Sequence, residues 1–145
     1  MMAVEATAMS PSEWEVMRVV WSTRDPATPN IVKTVQQKRD WSESTIKTWL
    51  GRLVKKGLLT TKRVSHSYVY TPTIAEVPAM KQTAGELFDH LCAMKKGTVI
   101  ADLVTNTELS RRDIEQLQQI LAAKLPTAPE SIPCNCMGEG ACAHD

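Results

Sequence analysis

Residues 42–72 read SESTIKTWLGRLVKKGLLTTKRVSHSYVYTP, and within that stretch the apolar pattern changes period once, at a glycine. Before Gly57, projection at about 100° per residue gathers Ile46, Trp49, Leu50 and Leu53 into roughly one 100° sector, the stripe of a helix that buries one face. Ser42 stands at its N-cap position, Trp41 and Ile46 are spaced as a hydrophobic staple, and Gly57 takes the left-handed position that ends a helix. Beyond the glycine, LLTTKRV and YVYTP are β-branched and aromatic runs around a small polar turn at Ser65, His66 and Ser67, which predicts a hairpin. A capped helix running directly into a hairpin leaves few folds open.

The residues upstream narrow them further. In SPSEWEVMRVVW, Ser10 and Glu13 make a capping box, Pro11 sits at the first helical position, and Met9 and Trp14 are a second staple. Trp14, Met17 and Trp21 recur at helical spacing with Val20 alongside, so this helix also buries a face. After the turn STRDPATPN, Thr28 and Pro29 open a short helix with Ile31, Val32 and Val35 inward, closed by KRD. Three short helices followed by a hairpin is the order of a winged helix, a helix-turn-helix variant whose third helix enters the major groove.

The polar face of the third helix fits such a role. It carries Ser44, Lys47, Thr48, Gly51, Arg52 and Lys55, where small side chains permit close approach and basic ones suit a rim of phosphates. No acidic residue occurs between Ser44 and Ala75, whereas Lys47, Arg52, Lys55, Lys56, Lys62 and Arg63 do. Overall charge is near neutral, but residues 1–75 hold eleven Lys/Arg against six Asp/Glu and residues 76–145 six against ten, so the basic half is the one expected to meet double-stranded DNA.

Apolar residues return at helical spacing after Pro72 and Pro78, as Met80, Ala84, Leu87 and Leu91, then Val99, Ile100, Leu103 and Val104. A last helix, capped by Ser110 with Asp113, carries Ile114, Leu117, Leu121 and Leu125. So small a helical unit leaves much apolar stripe uncovered, which predicts a homodimer and, with two recognition helices, a near-palindromic operator. The fold expected is mostly α with a small β-hairpin: a winged-helix DNA-binding domain over 1–75, a helical dimerisation domain over 76–125 and a Cys-rich tail over 126–145. No apolar run approaches the roughly 18 residues of a membrane span, and the opening MMAVEATAMSPSEWE lacks the blocks of a secretory signal, so a cytoplasmic protein without a membrane partner is expected. Reducing conditions there make clustered cysteines metal ligands or redox groups rather than structural disulfides.

SEWEVMRVVW, DWSESTIKTWLGRLVKKGLL and the hairpin ending YVYTP resemble the BlaI/MecI/CopY family of winged-helix repressors, and the likeness runs on through LSRRDIEQLQQIL. The resemblance implies a dimeric transcriptional repressor and no enzyme. By position in the motif, Ser44, Thr45, Lys47 and Thr48 match the family's base- and phosphate-contacting helix, Arg52 a basic position near the DNA, and Lys62 and Arg63 the wing. It also implies an operator with TACA and TGTA halves. One branch of the family answers β-lactams through cleavage at an Asn-Phe bond; here the matching dipeptide is Asn106-Thr107, and the one phenylalanine, Phe88, follows Leu87. The CopY-type branch answers copper through a tail of two Cys-x-Cys pairs four residues apart, and the end of this chain, SIPCNCMGEGACAHD, is similar to it.

Cys134 and Cys136 flank Asn135, and alternate residues of an extended chain turn the same way, so both thiolates can reach one metal. Gly138 and Gly140 allow the loop to bring in Cys142 and His144. Three thiolates and an imidazole satisfy tetrahedral Zn(II), while Cu(I) prefers thiolates in low coordination number. The tail departs from the family pattern in two ways: five residues separate the cysteine groups, and His144 replaces the last cysteine. Either His144 is a weaker fourth ligand or two protomers pool their thiolates. Cys92 reads as a small core residue of a helix, His90 as a helix-surface residue and His66 as a wing-tip residue. The function expected is a copper-responsive repressor, with Cu(I) as inducer, Zn(II) a candidate for the DNA-bound form and a copper chaperone as a possible donor. A proteolysed antibiotic-responsive repressor and a copper buffer or chaperone are the alternatives. A thiol oxidoreductase is disfavoured, because nothing nearby supplies a base to activate a thiolate.

Overall fold

The computed structural model describes Glu5, Ala6 and residues 9–136; Cys142 and His144 lie outside the described residues. Among the described residues, six α-helices and one hairpin run in the order α1 (Pro11–Ser22), α2 (Thr28–Gln36), α3 (Glu43–Lys55), β1 (Leu59–Val64), β2 (Ser67–Pro72), α4 (Glu76–Asp89), α5 (Lys96–Asn106) and α6 (Arg111–Lys124), with 3₁₀ turns at Ala93–Lys95 and Leu125–Thr127. The chain divides into two compact units, Met1–Glu86 and Leu87–Asp145. It is mostly helical, and α1–α3 with the hairpin form a winged helix.

In the first unit, local signals set the helix ends. Ser10 and Glu13 form the capping box of α1, with Pro11 in its first turn. The Ser42 side chain caps α3 by accepting from the Thr45 N–H. At the other end of α3, Gly57 adopts φ 81°. The Leu58 N–H donates to the Leu53 carbonyl at 2.9 Å and the Gly57 N–H to Val54 at 3.0 Å, the paired bonds of a Schellman motif. Leu53 and Leu58, its usual hydrophobic pair, are both fully buried. The helix stop and the hairpin start are thus one structure, which is why the period changes at the glycine.

The hairpin is antiparallel from Leu59↔Pro72 to Val64↔Ser67, and Ala27 adds an isolated bridge to Val69. The turn itself is Ser65–His66, with Ser65 at φ 56°; Ser67 belongs to β2. Val16, Met17, Ile31, Ile46, Leu50, Leu53, Leu58 and Leu59 make the fully buried centre, with Trp14, Trp21, Trp41 and Trp49 packed around it. The beginning of α4 belongs to this unit: Ala79 is buried, the Trp21 Nε1–H donates to the Ile74 carbonyl at 2.9 Å, and the Ala6 N–H donates to Gln82 Oε1 at 2.7 Å.

Among the described residues of this unit, one charged group is buried. Glu13 is 2% exposed, and its Oε1 accepts from Lys56 Nζ at 2.7 Å and from the Ser10 N–H at 3.1 Å. Burial pushes this carboxyl up, but the hydrogen bonds from Lys56 and Ser10, with the Lys56 charge, outweigh it and leave it below its ordinary value of 4.5. A carboxyl depressed by folding stabilises the native state above its unfolded pKa, and that contribution fades as the pH falls through the folded value. The thermal midpoint is therefore expected to drop on acidification below about pH 4.5, and less steeply in Glu13→Gln. Equal slopes for the two proteins would rule this out. At neutral pH Lys56→Ala, which strands the carboxylate, should cost about 2 kcal/mol in a denaturant titration.

The second unit is built differently. Ser110 and Asp113 form a capping box on α6, which holds Asp113 below the ordinary carboxylate range through the Ser110 hydroxyl and backbone N–H. Yet no residue of α5 or α6 is buried. Val99, Ile100, Leu103, Val104, Ile114, Leu121 and Leu125 are all exposed. Leu91, expected at the end of the α4 stripe, falls outside the helix. The His90 and Leu91 N–H groups donate to Leu87 and Phe88, three residues back, which tightens and ends α4 at Asp89. No helix among the described residues is long and apolar enough to cross a membrane.

Candidate nucleic-acid interface and thiol cluster

The exposed side of α3 carries Ser44, Lys47, Thr48, Gly51, Arg52 and Lys55. Its N-terminal turn is held by hydroxyls: Ser42 Oγ lies 3.1 Å from Ser44 Oγ and 2.9 Å from the hydroxyl of Thr45, which is half-buried. The Thr48 hydroxyl donates to the Ser44 carbonyl at 2.9 Å, so toward a ligand it can only accept. Lys47 lies 3.1 Å from Glu43, an exposed i,i+4 pair that a phosphate can displace at little cost. The Arg52 guanidinium stacks 4.8 Å from the centre of the Trp49 ring, which orients it while leaving its edge to hydrogen-bond. Lys62 and Arg63 are exposed on β1, opposite Val69 and Tyr68.

Two basic-block details were hidden in the sequence. Lys56 is turned to Glu13, so its charge is spent inside the unit rather than beside Lys47, Arg52 and Lys55 on the exposed side of α3. Gly51, by contrast, has nothing within 4 Å of the position a Cβ would take. A mid-helix glycine costs about 1 kcal/mol relative to alanine. No packing contact among the described residues requires it, and Gly51 leaves bare backbone on the exposed side of α3.

The other cluster lies in the second unit. Cys92, expected as a core residue of a helix, is neither helical nor fully buried. It has extended backbone (φ −61°, ψ 124°) ahead of the 3₁₀ turn at Ala93–Lys95 and is only half-buried. Its Sγ is 3.8 Å from Cys134 Sγ, and the sulfurs of Cys92, Cys134 and Cys136 all lie within 4.8 Å of one another. The Ala93 N–H donates to Asn135 Oδ1 at 2.8 Å, and the Cys136 N–H to Cys134 Sγ at 3.3 Å. Alternation across Asn135 brings Cys134 and Cys136 to one place as expected, and the amide between them fastens the pair to the bend after α4. His90 lies in the turn that closes α4, not on the helix, and lines a small cleft with Asp89, Cys92, Asn135 and Cys136. Cys92 and Asn135 are thus the residues a linear reading misses. The one available signal was a cysteine near the end of the α4 stripe, and spacing alone does not say which way it faces.

Against known proteins, the family model described as "Penicillinase repressor" matches residues 9–123. The chain is 48% identical over 136 residues to the uncharacterized 16.5 kDa protein in the ptsI 3' region of Latilactobacillus sakei, covering 94% of this chain and 93% of that one. It is 30% identical over 116 residues to the methicillin resistance regulatory protein MecI of Mammaliicoccus sciuri, covering 80% and 94%. The solution structure of the DNA binding domain of the repressor BlaI aligns with a TM-score of 0.47 and 37% identity, over 52% of this chain and 90% of that one.

Proposed function

The chain belongs to the penicillinase repressor family, transcriptional repressors rather than enzymes, and from that premise we propose a homodimeric repressor that leaves its operator when Cu(I) binds the C-terminal thiolates. The DNA half of the reading is supported by the exposed face of α3, with its acid-free composition from Ser44 onward and its unexplained Gly51. Ser44, Lys47 and Thr48, with Thr45 at their edge, are assigned to bases and nearby phosphates; Arg52, Lys55, Lys62 and Arg63 are assigned to the backbone. The dimer half is supported by α5 and α6, whose apolar residues are uncovered among the described residues; within the stretch 76–125, these two helices are assigned to pairing with a second copy.

The observation that carries the metal response is the convergence of exposed sulfurs at Cys134 and Cys136, beyond residue 123 where the family match ends. Cys142 and His144 complete the proposed donor set in the tail. Soft thiolates favour Cu(I), whereas Zn(II), which needs four donors, is the candidate for the DNA-bound state. A copper chaperone would be the physiological donor, and the cytoplasm the compartment.

Fluorescence anisotropy of an operator duplex with TACA and TGTA halves tests this at fixed salt, anaerobically, with Cu(I) or Zn(II) added to the reduced chain. Cu(I) is expected to lower affinity about a hundredfold, a coupling of about 2.7 kcal/mol, and to have no effect on a Cys134→Ser, Cys136→Ser variant. Zinc should leave both bound. If copper leaves the wild type on the operator, the metal-responsive reading is wrong. The antibiotic-responsive alternative, favoured by the likeness to the methicillin resistance regulator, would then be tested by proteolysis near Asn106-Thr107.

A further inference from the structure

We propose that Cys92 is a metal ligand, so that the bend between α4 and α5 and the tail together make a three-thiolate site for one Cu(I). The inference rests on the metal-responsive reading above and names a ligand that lies outside the tail.

The geometry supports it first. Two thiolates bound to one ion at about 2.3 Å stand about 3.8 Å apart at a tetrahedral angle and about 4.0 Å apart at 120°. Cys92 and Cys134 are already 3.8 Å apart, and Cys136 lies within 4.8 Å of both. Closing such a site needs sulfur movements of less than about an ångström and no change of backbone path. The second support is the way the segments are held. Asn135 Oδ1 accepts the Ala93 N–H, and the Cys136 N–H donates to Cys134 Sγ, so the tail segment is held against the bend with its sulfurs turned to Cys92. Exposure supplies the third, because Cys134 and Cys136 are open to solvent and an ion can enter from the tail side while Cys92 closes the site from the protein side.

The type and number of donors gathered here suit Cu(I). Among the described residues, the group of convergent ligand atoms consists of these three sulfurs. Three thiolates complete a trigonal site for Cu(I), whereas Zn(II) would need a fourth donor brought in from elsewhere. Each thiol that binds gives its proton to solvent, so one Cu(I) releases up to three protons. Binding also changes how Cys134 and Cys136 are attached: metal–sulfur bonds anchored three residues past the end of α4 join the amide and sulfur contacts already there.

The experiment uses the full-length reduced chain, anaerobic, with Cu(I) titrated against a chromogenic chelator of known copper affinity. Wild type is compared with Cys92→Ser and Cys92→Ala, and the sulfur coordination number is read by X-ray absorption. Both variants are expected to keep the wild-type melting curve, lose one sulfur from the copper shell, and bind Cu(I) about a hundredfold more weakly, since a ligand prepositioned by the fold acts at high effective concentration. Wild-type affinity with an unchanged sulfur count in either folded variant overturns the proposal. Operator anisotropy on the same samples separates it from the reading it rests on. If binding depends on Cys92 but copper leaves wild type on the operator, the site stands and the metal-responsive reading fails. If copper releases the Cys92→Ser variant at the wild-type concentration, the reading stands and the third ligand fails.

Discussion

Replacing Lys47 and Thr48 together by alanine is expected to weaken operator binding about a thousandfold while leaving the fold unchanged. A good base contact is worth about 1–3 kcal/mol, and a dimer loses it at both half-sites, so a loss of about 2 kcal/mol per protomer becomes about 4 kcal/mol for the complex. Folding should be indifferent. Both side chains are exposed, the Lys47–Glu43 pair is of the surface kind that contributes little, and alanine is the stronger helix former. Anisotropy at fixed salt against the operator and a scrambled duplex checks the result, with thermal melting as the control. A variant within tenfold of wild type, with an unchanged melting curve, would remove the α3 face from the recognition surface.

The second large effect concerns the partner chain. Leu103→Asp with Leu121→Asp is expected to produce monomers and to cost about 10²–10⁴ in operator affinity, because two linked half-site contacts gain that much over one. Within a single chain these leucines are exposed, so the carboxylates remain hydrated and the unit should keep its helices. Between two chains the same carboxylates would be buried without partners, at a cost of several kcal/mol. Sedimentation velocity reads the outcome. A variant that still sediments as a dimer would mean that the apolar stripes of α5 and α6 are not the pairing surface.

Much of the fold was legible because its signals are local. Ser10 with Glu13, Ser42, Ser110 with Asp113 and Gly57 all act within a few residues, through hydrogen bonds that terminate helices. Ile31, Val32 and Val35, like Ile46, Leu50 and Leu53, reach the core because a helix repeats its face every 3.6 residues. The α3 face was equally readable, since the residues that avoid the core stripe must lie on its other side.

Other features do not follow from local rules. Leu91 continues an apolar period but not the helix, because two three-residue hydrogen bonds close α4 just before it. Lys56 belongs to the basic block in the sequence, and only packing of α1 beside α3 sends it to Glu13, 43 residues away. Cys92 reads as a core residue until the chain returns 42 positions later and places Cys134 against it. The helices, the hairpin, the basic exposed face of α3 and the paired thiols at 134 and 136 can be read along the chain, because periodicity, caps and alternation act over distances shorter than a helical turn or two. Which charge is spent inside the fold, and which cysteine meets Cys134, is settled by packing in three dimensions. Those pairings depend on where a bend and a returning segment meet in space, and no spacing along the chain carries that information.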